Sequence, residues 1–126
     1  MDPDVQDWLR IAESDVTSAE VLHDARQELN AIFFLQQAVE KTLKAVLIKR
    51  TSLMPPRIHN LPELAGRCEL KLAREQERLL KDLTVSYIDS RYPEQWGSAP
   101  PEISSEKTGR LIMESKEFIA WLKQKL

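Results

Sequence analysis

The sequence predicts an all-α protein, an antiparallel up-and-down bundle of four long helices and one short one. Two observations carry that expectation. Four long stretches repeat apolar residues at three- and four-residue spacing, the signature of amphipathic helices, and none alternates as a half-buried strand would. Breakers are also scarce, with only 3 glycines, and most of the 7 prolines fall in two connections. Short connections between long helices make antiparallel neighbours. A chain of 126 residues is long enough to bury a core, and residues 1–126 are expected to form a single helical domain.

The first helix is expected from about Pro3 to the high 20s. Asp2 is placed as its N-cap, Pro3 suits the first turn, and Asp4 and Asp7 suit the positive end of the helix dipole. Val5, Trp8, Ile11, Ala12, Val16, Ala19 and Leu22 share one broad face, and Asp15 falls within it. A second helix spans about Asn30 to Arg50. Its apolar residues, Phe34 and Leu35 through Val46 among them, sweep about half the circumference. Asn30, Gln37, Glu40, Lys41 and Lys44 gather on the other side. So wide an arc implies several partner helices, or a core on one side and a dimer interface on another.

Pro55 and Pro56 exclude regular helix from the connection that follows. Asn60 then caps a short helix, with Glu63 three residues on as in a capping box. The next helix covers about Ala73 to Ser90, with Leu79, Leu80, Leu83 and Tyr87 on one face and Arg91 on the same side one turn later. Pro93 disfavours helix at Tyr92, and a Pro-rich tether runs on. Ser104 or Ser105 caps the last helix, whose stripe runs Leu111, Ile112, Ser115, Phe118, Ile119, Leu122 and Leu126.

Net charge is −2, so no field of the whole molecule draws it to nucleic acid, and a polyanion site has to be local. One cysteine, Cys68, allows neither an internal disulfide nor a metal cluster. The acidic start MDPDVQDWLR has no apolar core of a secretory signal, and no apolar run approaches the ~20 residues of a membrane span, so a cytoplasmic location is expected. Phosphate loops, nucleophile elbows and H-E-x-x-H are missing, and no metal or cofactor is expected.

Local charge says more. Between Leu29 and Pro62, Glu40 is the sole acid against Lys41, Lys44, Lys49, Arg50 and Arg57, a segment charge of +4 from five bases and one acid. Such a segment is either a solvated helix face with a dipole-favoured basic end or a patch for phosphates. His59 lies beside the Asn60 cap, either as a structural hydrogen-bonding residue or, given a partner group, as an acid–base residue. Asp15 on an apolar face needs a cation if buried, and the second helix's lysines and Arg91 are the candidates.

"FFLQQAVEKTLKAVL", "PPRIHNLPEL" and "YIDSRYPE", in that order on successive helices, resemble the HEPN family (higher eukaryotes and prokaryotes nucleotide-binding domain). The opening "WLRIAESDVTSAEVL" fits too, with Asp15 at a characteristic acidic position. The resemblance implies a five-helix bundle like the helical domain of kanamycin nucleotidyltransferase. It further implies a homodimer and, often, a minimal nucleotidyltransferase as partner. Many members are toxins of toxin–antitoxin pairs, and some are metal-independent ribonucleases that use an arginine followed, four to six residues on, by a histidine. With Arg91 as that arginine, the histidine belongs at 96, 97 or 98, where this chain has Trp96, Gly97 and Ser98.

Three readings follow. The first is a dimeric module, not itself catalytic, that holds a nucleotide or RNA phosphate with Arg91, His59, Arg57, Lys41 and Lys44, while Tyr92 or Trp96 offers a stacking surface. The second is a toxin endoribonuclease with Arg91 on the phosphate and His59 as acid–base residue. The third is an assembly subunit in which Arg91 merely anchors Asp15.

Overall fold

The second helix is the axle of the molecule, touching all four others. In the computed structural model, which describes residues 3–126, the chain forms α1 (Pro3–Asp24), α2 (Glu28–Thr51), α3 (Leu61–Arg67), α4 (Arg74–Arg91) and α5 (Ser105–Lys123), with a 3-10 turn at Pro93–Gln95. No strand occurs among the described residues. The expected Asp2 cap lies outside them.

The wide apolar arc of α2 is explained by its neighbours. It packs along α1 and also meets α3, α4 and α5. Ile32, Leu35, Val39, Leu43 and Val46 are fully buried there, beside Leu61 and Leu64 of α3, Leu80 and Leu83 of α4, and Leu111 and Leu122 of α5. Each such side chain is worth about 1.5–3 kcal/mol of burial. This central position overturns one expectation. Glu40 and Lys44, placed on a polar side, are buried, as is Gln36. A helix surrounded by four others has little open side, so its polar residues must find partners inside.

Element boundaries shift where the backbone turns left-handed. α1 stops at Asp24 rather than the high 20s because Arg26 adopts φ 60°. α2 starts earlier than Asn30, at Glu28, and ends on the left-handed Ser52, whose N–H donates to the Ile48 carbonyl. Asn60 caps α3 as expected, its Oδ1 accepting from the Glu63 N–H at 2.9 Å. The return half of the box is not made; Glu63 pairs with Arg67 at 3.5 Å instead. Of the two candidate serines, Ser104 is the cap of α5, accepting from the Lys107 N–H at 3.0 Å, and Ser105 is the first helical residue.

Two side chains fasten the connections. Arg50, near the end of α2, donates to the Cys68 carbonyl at the end of α3. Cys68 itself is buried, with Sγ 3.4 Å from the Leu43 carbonyl. Burial pushes its thiol up to about 11, and the Arg50 charge pulls weakly the other way. The Trp96 indole N–H donates to the Asp89 carbonyl, folding the tether back along the end of α4. No helix among the described residues is long and apolar enough to cross a membrane.

Candidate functional site

The segment QQAVEKTLK of α2 puts Gln36, Glu40 and Lys44 at four-residue intervals on one inward-facing line. Glu40 is the hub. Its Oε2 takes the Lys44 ammonium at 2.9 Å, and its Oε1 takes the Gln36 amide at 3.1 Å and His59 Nδ1 at 2.9 Å. Gln36 Nε2 also donates to the His59 carbonyl at 3.0 Å, and Gln36 Oε1 accepts from Gln37 at 2.8 Å. The Glu40 and Lys44 side chains are 4% and 8% exposed, so each neutralises a charge that burial would otherwise make costly. Lys44 also lies over the Trp8 ring, 5.7 Å from its centre.

This network holds the loop before α3 at two points, the His59 backbone and the His59 ring. An ionised carboxylate only accepts, so Nδ1 of His59 carries the proton and Nε2 is the nitrogen left for a ligand. The ring side chain is 57% exposed. It therefore combines a buried anchor with an open working edge.

From His59 a row of rings crosses to α4 and back to α2. His59 lies 5.9 Å from Tyr87, Tyr87 stacks on Phe33 at 5.8 Å, and the Arg91 guanidinium sits 4.5 Å above the other end of the row, the Phe33 ring. Burial raises the Tyr87 phenol above its ordinary value, with Arg91 opposing, so the hydroxyl stays protonated at neutral pH and can donate. Beside this row lies a groove of about 430 Å³, lined by His59, Asn60, Thr84, Tyr87, Ile88 and Tyr92.

The six residues expected at a phosphate site separate into two groups. His59, Tyr92 and Arg91 gather at this edge of α4, and Arg57 is exposed in the loop just before His59. Neither Arg57 nor Arg91 has an ion-pair partner among the described residues. Lys41 and Lys44 go elsewhere. Lys44 is locked to Glu40, and Lys41 donates to Asp15 at 2.6 Å with side chains only 20% and 11% exposed. Both face inward because α1 covers that side of α2. Asp15 thus has its cation, and it is Lys41; Arg91 is not its anchor. Trp96, half-buried and bonded to Asp89, braces the tether, which leaves Tyr92, 45% exposed, as the open aromatic ring.

Sequence reasoning missed Glu40, Gln36 and Phe33. The four-residue spacing of Gln36, Glu40 and Lys44 was the available signal, since a carboxylate four residues before a lysine can pair on any face, buried or open. No cluster of three or more His, Cys, Asp or Glu suited to a metal exists among the described residues.

The fold and this edge define a helical bundle built around a central helix with a fixed polar core. The HEPN domain model matches residues 5–125, and the chain belongs to the HEPN domain family. TT1696 from Thermus thermophilus has a similar crystal structure, with TM-score 0.86 and 22% identity over 97% of this chain and 98% of that one. The structure of ST0689, an archaeal HEPN homologue, is similar at TM-score 0.68 and 24% identity over 96% of each chain. At these identities the likeness is one of fold. No curated protein matches the chain.

Proposed function

We propose that this chain is a nucleotide- and RNA-binding module that holds phosphate through Arg91, with His59, Arg57 and Tyr92 around it. The observation that carries the reading is Arg91 itself. Its guanidinium lies over Phe33 at 4.5 Å, exposed, with no carboxylate paired to it among the described residues. The ring restrains the group while no hydrogen bond among the described residues engages its N–H fork, the state suited to bidentate phosphate binding. The adjacent groove with Tyr87 and Tyr92 offers surfaces for a base. In this reading the chain works as a homodimer beside a minimal nucleotidyltransferase, in a toxin–antitoxin-like pair, and does no chemistry. No histidine stands at 96, 97 or 98 to serve as acid–base residue next to Arg91. Titration of labelled RNA and of nucleotides against wild type and Arg91→Ala tests it. Affinity should fall about tenfold or more, in line with loss of a charge-assisted pair, with the oligomeric state unchanged. Equal affinities would refute the reading.

One observation favours a second reading, a metal-independent endoribonuclease using Arg91 and His59. Buried Glu40 holds His59 Nδ1 at 2.9 Å, the arrangement that fixes a histidine tautomer for proton transfer at Nε2. Purified protein that cuts RNA, with cutting lost in both His59→Ala and Arg91→Ala, would establish it. RNA left intact would remove it.

A further inference from the structure

The face of α4 that looks away from the core is unusual from end to end. Arg74, Arg78, Lys81, Val85, Ile88 and Tyr92 follow one another at three- and four-residue steps, within one narrow helical stripe. All six are exposed, including Val85 at 55%, Ile88 at 42% and Tyr92 at 45%. Three cations occupy the first half and apolar side chains the second.

Helix stability does not explain the cations. Arg74 opens α4, where the positive end of the dipole favours Glu75 and Glu77 but not a cation, and Arg74 and Arg78, four residues apart, repel. Among the described residues none of Arg74, Arg78 and Lys81 has a carboxylate within ion-pair distance, although eight other pairs form. The same three line a second groove, of about 560 Å³, whose other wall is Gly66, Leu70 and Leu72. One acid, Glu77, faces it as well. The groove beside His59 opens farther along the same helix and is bordered by the start of the same α3 segment at Asn60.

We propose that the α3–α4 edge is one continuous track for a single strand of RNA, with Arg74, Arg78 and Lys81 as a second phosphate-binding subsite. This deepens the reading of Arg91 and rests on it. Its content is that the ligand is an oligonucleotide bridging both grooves, not a lone nucleotide. From Arg74 to Arg91 the helix advances about 26 Å at its 1.5 Å rise. That length accommodates about four nucleotides or more of extended strand, the lower end of single-strand site sizes. Cations at one end take phosphates, while Ile88, Tyr87 and Tyr92 at the other receive bases.

The experiment compares a dodecameric oligouridylate with a uridine dinucleotide, by fluorescence anisotropy and by chemical-shift titration. The variants are the triple change Arg74→Gln, Arg78→Gln, Lys81→Gln, and Gly66→Leu. Gly66 lines the groove and a Cβ there meets nothing within 4 Å, so a larger side chain starts in open space beside it. In the triple variant the dodecamer should bind at least about tenfold more weakly, and its salt slope should drop by roughly 2, as loss of three single-strand phosphate contacts requires. Gly66→Leu should weaken the dodecamer too, and neither variant should alter dinucleotide binding. Unchanged dodecamer affinity in the triple variant, with Arg91→Ala still weakened, overturns the track but leaves the Arg91 site standing. A wild type that binds neither probe overturns both. A triple variant that changes oligomeric state while binding RNA normally assigns the face to a protein contact and likewise overturns the track.

Discussion

Two sets of charged residues in this protein lie within a few turns of each other and behave oppositely. Around α2, Glu40, Lys44 and Asp15 are buried, Lys41 partly so, and the four are matched in pairs at 2.9 and 2.6 Å. Along the α3–α4 edge, Arg57, Arg74, Arg78, Lys81 and Arg91 are exposed and unmatched among the described residues. The difference lies in what surrounds each charge. A charge inside a bundle must be neutralised on the spot, because an unpaired ion there is heavily penalised. A charge at the edge is solvated and can wait for a ligand. Buried polar groups here hold the loop carrying His59 in place, and the open ones present the surface that a polyanion can meet.

Breaking the inner set gives the largest effect. Glu40→Ala strands Lys44 and frees His59, and urea unfolding should show a loss of about 3–5 kcal/mol. Glu40→Gln keeps the shape but not the charge and should recover part of that loss. Asp15→Ala leaves Lys41 on a partly open flank, and the same measurement should give a smaller loss of about 1–3 kcal/mol. A double-mutant cycle on Asp15 and Lys41 should return a clear coupling, while one on Asp15 and Arg91 should return none.

The inner set also explains how much of the molecule the sequence conveys. Helix number, order and apolar stripes are readable because period and breakers are local properties. The caps at Asn60 and Ser104 are equally readable, since capping depends on a few adjacent residues. Glu40 and Lys44 are misread as a solvated face because a helical wheel cannot say how many neighbours a helix has. In α2 the answer is four, and only the assembled bundle supplies it. Arg91 shows the same limit from the other side: phase places it near Tyr87, yet its place over the Phe33 ring and its separation from Asp15 depend on how α2 and α4 meet.

A smaller effect concerns Cys68. Its thiol, raised to about 11 by burial, should resist alkylation in the folded protein at pH 8 at least about 100-fold relative to an ordinary thiol of pKa 9.0, the ratio two pH units imply. The unfolded thiol ionises more readily, so the contribution of Cys68 is intact below pH 9 and is lost as pH rises toward 11, measurable as a falling Tm over that window. His59→Ala should be milder still, since Lys44 and Gln36 remain on Glu40; a stability loss of about 1 kcal/mol is expected.

Arg91→Ala should disturb stability least, by no more than about 1 kcal/mol for an exposed cation–ring contact, and binding most. That opposition makes it the most direct measurement. Urea unfolding and RNA titration on one preparation of Arg91→Ala should show near-wild-type stability with affinity reduced about tenfold or more. Lost stability with RNA affinity intact would mean that Arg91 belongs with the matched inner charges, and the division between holding and binding residues would be wrong.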